Sequence, residues 1–118
     1  MQDKRKSLEL FVKTIKEKYP DKVMEIILFG SVARGEDKEY SDIDLLIITN
    51  YDSFKMQKLV SEVVVEVLLK TGVYVSAKVL SFEEYNFLKE INSSFYRNIS
   101  KEGIVIGWDW TIDWKSRT

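Results

Sequence analysis

The stretch from Val23 to Thr49 constrains this chain most. An apolar run, Val23 to Phe29, ends at Gly30-Ser31. Ten residues later Asp42-Ile43-Asp44 opens a second apolar run, Ile43 to Thr49. The first run predicts a strand. The second is almost unbroken, as a central strand covered on both faces requires. Glycine lets the chain turn sharply out of the first strand. The spacing then predicts one helical turn over Ser31 to Gly35 and a polar loop over Glu36 to Tyr40. Two strands joined in this way need further layers to cover them.

The rest of the chain supplies those layers. Leu8, Phe11, Val12, Ile15 and Tyr19 recur at helical spacing, which predicts an amphipathic helix over 4–18, stopped by Pro20. Met56, Leu59, Val60, Val63, Val64, Val67 and Leu68 follow the helical pattern without a miss, and Thr71-Gly72 ends that helix. Val73, Val75, Ala77 and Val79 alternate with their neighbours, so 73–80 reads as a strand. Ser81, with Glu84 three residues on, forms a capping box. It opens one helix whose inner stripe is Tyr85, Leu88, Ile91 and Phe95. Ile104 to Ile106 makes a short last strand. The order α-β-α-β-α-β-α-β predicts one α/β (α+β) domain spanning 1–118, a small mixed sheet of about four strands backed by helices.

Composition narrows the chemistry. The chain has no His and no Cys. Ser-His-Asp hydrolysis, thiolate chemistry and the usual zinc sites are therefore closed. Any metal must sit on oxygen ligands, which points to Mg²⁺ or Mn²⁺. A net charge of −1 argues against bulk nucleic-acid binding. No apolar run reaches the ~20 residues of a membrane span. The polar N-terminus leads into no signal region, so a cytoplasmic location is expected.

Asp42 and Asp44 share one face of a strand by period two, with Cα atoms roughly 7 Å apart. Their charges repel by about 2 kcal/mol at an effective dielectric of 20. A divalent cation between them would relieve that, with substrate phosphates completing its shell. Taken alone the pair is common, and Asp42 could cap a turn while Asp44 ends a strand. The Gly30-Ser31 turn upstream changes this. Its free N–H groups favour an anion, the Ser31 hydroxyl can donate to a phosphate oxygen, Arg34 lies one turn on, and Gly35 permits a second turn.

At these residues the chain resembles the minimal nucleotidyltransferases of the DNA polymerase β-like superfamily. Their signature, Gly-Ser, ten residues, Asp-x-Asp, is matched by Gly30, Ser31, Asp42 and Asp44. The wording from Leu28 to Gly35 and from Ser41 to Leu45 is also similar. The resemblance implies the polymerase β-like fold, Mg²⁺ on Asp42 and Asp44, and a nucleoside triphosphate, such as ATP, held by Gly30, Ser31, Arg34, Gly35 and Ser41. It further implies transfer of AMP to a hydroxyl. Small members are often paired as antitoxins with HEPN-domain toxins, and there the acceptor is a tyrosine of the partner.

One departure stands out. Members that catalyse usually carry a third carboxylate on a later strand, and residues 73–80 contain none. Tyr74, Ser76 and Lys78 stand on the face expected to look at the site, and Ser76 is the candidate for the vacant position. Glu66, Glu83 and Glu84 read as solvated or capping residues. This leaves a second function open: a nucleotide- or partner-binding antitoxin without transferase activity. Trp108, Trp110 and Trp114 read equally as a docking or dimer surface or as cover for the end of the core. Homo-oligomerisation stays open.

Overall fold

The computed structural model describes residues 4–106. The cluster Trp108, Trp110 and Trp114 lies outside them. The elements are α1 (Lys4–Lys18), β1 (Val23–Phe29), α2 (Gly30–Arg34), β2 (Ile43–Thr49), α3 (Ser53–Thr71), β3 (Val75–Ser81), α4 (Phe82–Glu90), α5 (Ser94–Glu102) and β4 (Ile104–Ile106). They build one mixed sheet in the order β3-β2-β1-β4. β1 runs antiparallel to β2 and to β4, and β2 runs parallel to β3. The parallel pair needs a crossover, which α3 supplies.

Period two divides the sheet residues between two cores. Ile26, Leu28, Ile43, Leu45, Ile47, Val75 and Val79 join Leu8, Phe11, Val12 and Ile15 of α1 and Val60, Val63 and Val67 of α3 in the larger core. Ile27, Leu46 and Ile48 face the other way. There they meet Ile99 of α5, with Phe29, Leu80, Tyr85 and Phe95 around them. β2 is buried on both faces, which explains its apolar run, and Asp44 is the charged residue that interrupts it, one position after the strand begins. By strand parity, Asp44 lies on the α4–α5 face.

Two expectations need correction. The helix opened by Ser81 is two helices. Asn92, at φ 51°, sits in the left-handed region, and the Ser93 hydroxyl starts α5 by accepting the Tyr96 N–H at 3.0 Å. The stripe with Ile91 is spaced like a helix, but Ile91 is exposed, so burial gives it no reason to continue α4. Asparagine tolerates the αL conformation better than most residues, and serine caps. Second, β3 begins at Val75 rather than Val73 and runs to Ser81. Val73 is buried in the larger core from the turn after α3.

Candidate active site

Gly30 connects β1 to α2 at φ +75°. A Cβ there would lie 2.2 Å from Oδ2 of Asp44. The register explains this closeness, because Phe29 pairs with Asp44 across β1 and β2. Glycine is therefore required twice, for its backbone angle and for the space the carboxylate occupies. The turn and the carboxylate interlock as one unit.

α2 has no side-chain cap at Phe29, so no capping side chain takes up its first N–H groups. It closes at Gly35, whose φ of 71° is left-handed. The Glu36 N–H then donates to the Ser31 carbonyl at 2.9 Å. Ser31 is partly buried at the start of this turn. Ser41 stabilises the loop before β2: its hydroxyl accepts the Lys38 N–H at 2.9 Å, and its own N–H donates to the Lys38 carbonyl at 2.9 Å.

Asp42 is exposed and Asp44 partly buried. Burial pushes the Asp44 carboxyl above the usual aspartate range, and the Asp42 charge adds to the rise. Arg34 pulls the other way without cancelling it. No described Lys or Arg forms an ion pair with either carboxylate. Two like charges thus act on each other with only the more distant Arg34, among the described residues, to offset them in part. Their oxygens suit Mg²⁺ or Mn²⁺. Among the described residues no group of three His, Cys, Asp or Glu could complete a metal shell.

The neighbouring strand shows why. β3 pairs in register with β2, and Ser76 stands directly beside Asp44. The position expected to carry a third carboxylate carries a hydroxyl. The ladder reaches back to Tyr74, whose carbonyl accepts the Ile43 N–H at 3.2 Å. Tyr74 thereby flanks Asp42. Lys78 lies on the same face, its ammonium 4.8 Å from the Phe95 ring centre. Phe95 meets Phe29 edge-on at 5.8 Å, giving the site an aromatic floor.

Arg34 is engaged elsewhere. Its Nε donates to Glu36 at 2.6 Å, and its Nη1 donates to both oxygens of Glu102 at 3.1 and 3.2 Å. These bonds raise its pKa further, Glu36 contributing most. Sequence reasoning missed Glu102, which lies 68 positions away. No local spacing could have signalled it.

Known proteins resemble this chain in sequence and in fold. Residues 8–106 match the nucleotidyltransferase domain family. A protein of Methanocaldococcus jannaschii that carries the name of a protein adenylyltransferase is 42% identical over 104 residues, covering 88% of this chain and 98% of that protein. A second from the same organism, named in the same way, is 36% identical over 88 residues, covering 72% of this chain and 59% of its own length. Among solved structures, a nucleotidyltransferase from Sulfolobus solfataricus superposes with a TM-score of 0.55 at 23% identity, over 85% of this chain and 76% of that one. A mutant of the MntA–HpeT toxin–antitoxin complex gives 0.53 at 12% identity, over 88% and 74%. Both show the same fold. Because the match runs from α1 to β4, the chain belongs to the nucleotidyltransferase domain family, as an enzyme of the nucleotidyltransferase type.

Proposed function

We propose that this protein transfers AMP from ATP to a tyrosine hydroxyl of a helical HEPN-type partner and so acts as an antitoxin. One observation carries the reading: the Asp44 carboxylate packs against the glycine turn of α2 and feels the Asp42 charge, and no described Lys or Arg forms an ion pair with either. A divalent cation on the two carboxylates would neutralise phosphate charge and polarise the α-phosphorus. Gly30 and Ser31 hold the β- and γ-phosphates through N–H groups and the serine hydroxyl. Arg34 reaches phosphate by exchanging Glu36 or Glu102 for it.

The bond formed joins the phenolic oxygen to the α-phosphorus. The bond broken releases pyrophosphate toward the turn, and the phenolic proton leaves to solvent. Ser76 is a poor base for that proton at neutral pH. Catalysis therefore rests on positioning and charge stabilisation. The names of the Methanocaldococcus relatives and of the MntA–HpeT structure support the reading. Ser76 beside Asp44 favours a second one, a domain that binds nucleotide and partner without transfer.

The test is incubation with ATP, Mg²⁺ and the protein encoded beside this one, followed by intact mass of both chains. One AMP gained by the partner, and absent with Asp42→Ala or Asp44→Ala, is the expected result. A stable complex with no mass change under any nucleotide or with Mn²⁺ would establish the binding-only domain.

A further inference from the structure

A cleft of about 390 Å³ opens between the 39–42 loop, the N-terminal end of α1 and the entry to β3. Lys4, Tyr40, Ser41, Asp42, Val73 and Tyr74 line it. Tyr40 is 82% exposed and Tyr74 48% exposed, so two aromatic rings stand open to solvent beside a site carboxylate. Lys4 ties α1 to the loop by donating to Asp37 Oδ2 at 3.0 Å and to the Lys38 carbonyl. That tie holds one wall in place.

We propose that this cleft seats the hydroxyl-bearing aromatic side chain of the acceptor protein, with Tyr74 and Tyr40 as its aromatic walls. The inference rests on the transferase reading above. The axis of the reaction fixes the side from which the acceptor comes. In phosphoryl-type transfer the attacking and leaving oxygens lie roughly in line through phosphorus. The pyrophosphate belongs to Gly30 and Ser31, at the end of β1. Asp42, just before β2, and Asp44, on β2, hold the middle. The hydroxyl must then arrive from the far side, and the far side is β3, next to β2 in the sheet.

There the ladder places Tyr74 next to Asp42 and Ser76 next to Asp44. Alternation puts Ser76 on the face that carries Asp44, and Tyr74, just before the strand, lines the cleft together with Asp42. An acceptor ring packed against Tyr74 directs its hydroxyl toward the α-phosphorus. The nucleoside hangs from the α-phosphorus off this axis, so its base is not the occupant the geometry favours.

The experiment is amide chemical-shift mapping on the whole, isotope-labelled chain. The two probes are N-acetyl-L-tyrosinamide and ATP with Mg²⁺. We expect the tyrosinamide to move amides of 40–42 and 72–74, and ATP with Mg²⁺ to move those of 30–35. Tyr74→Ala should weaken tyrosinamide binding roughly three- to tenfold and leave the ATP shifts in place. Tyr74→Phe keeps the ring and should keep the affinity. If the tyrosinamide moves neither segment while ATP still moves 30–35, the cleft assignment is overturned and the transferase reading stands. If ATP moves 72–74 and competes with the tyrosinamide there, the cleft is a nucleobase seat and the assignment is again wrong. If ATP leaves 30–35 untouched, the nucleotide reading fails and the cleft assignment falls with it.

Discussion

At Asp44 one side chain carries both the chemistry and a cost to the fold. Burial raises its pKa, and the Asp42 charge raises it further. An acid with a raised folded pKa destabilises the metal-free fold as pH rises above the ordinary aspartate range, because the unfolded chain gives up its proton first. The penalty is complete once the pH passes the folded value. Asp44→Asn removes the charge and keeps nearly the same shape beside Gly30. We therefore expect Asp44→Asn to raise the melting temperature of the metal-free protein at neutral pH and to abolish transfer. The gain should vanish when melting is repeated in acid, below the ordinary aspartate range. A lower melting temperature at neutral pH would mean that the Asp44 charge is compensated after all. The glycine, the two carboxylates and the serine beside them were legible in sequence, because turn and strand periods are local. The hold of Glu102 on Arg34 was not. It depends on α5 returning to the end of β1, which no residue near Arg34 encodes.

At the scale of elements, punctuation decides where helices begin. α4 starts with a complete capping box: the Glu84 N–H donates to the Ser81 hydroxyl at 3.0 Å, and the Ser81 N–H donates to Glu84 Oε1 at 2.8 Å. The backbone bond from Ser81 holds the Glu84 carboxyl below its usual range, and Ser53 of α3 helps. Ser81→Ala should cost about 1 kcal/mol, measured as a lower urea midpoint at neutral pH. Glu84→Gln should cost less. A lowered folded pKa contributes stability above the unfolded value and loses it as pH falls through the folded one. The Glu84→Gln cost should therefore disappear below the ordinary glutamate range, while the Ser81→Ala cost persists. The box was legible because both of its halves lie within four residues. The break at Asn92 was not, because Tyr85, Leu88, Ile91 and Phe95 keep helical spacing across it. Only the exposure of Ile91 shows that the stripe has no partner there.

At the scale of the molecule, the sheet divides a thick core from a thin one, and Asp44 and Ser76 lie on the thin side. Ile47 and Leu46 are adjacent and fully buried, yet they point to opposite cores. Ile47 packs with α1 and α3. Leu46 packs with Ile27 and Ile99, beneath the aromatic floor made by Phe29 and Phe95. Ile47→Ala and Leu46→Ala should each cost about 2–5 kcal/mol, a large share of the roughly 5–15 kcal/mol that holds a domain together. Their effects on the site should differ. Leu46 shares a face with Asp44 two residues away and lies beside Lys78 in the register. A void there lets Phe29 settle and moves the Asp44 row with it. A void at Ile47 is absorbed on the far side of the sheet. At a temperature where both variants remain folded, calorimetric titration should show weakened binding of ATP with Mg²⁺ for Leu46→Ala and near-normal binding for Ile47→Ala. Equal loss in both would mean that the site is positioned by the sheet as a whole rather than by its thin core.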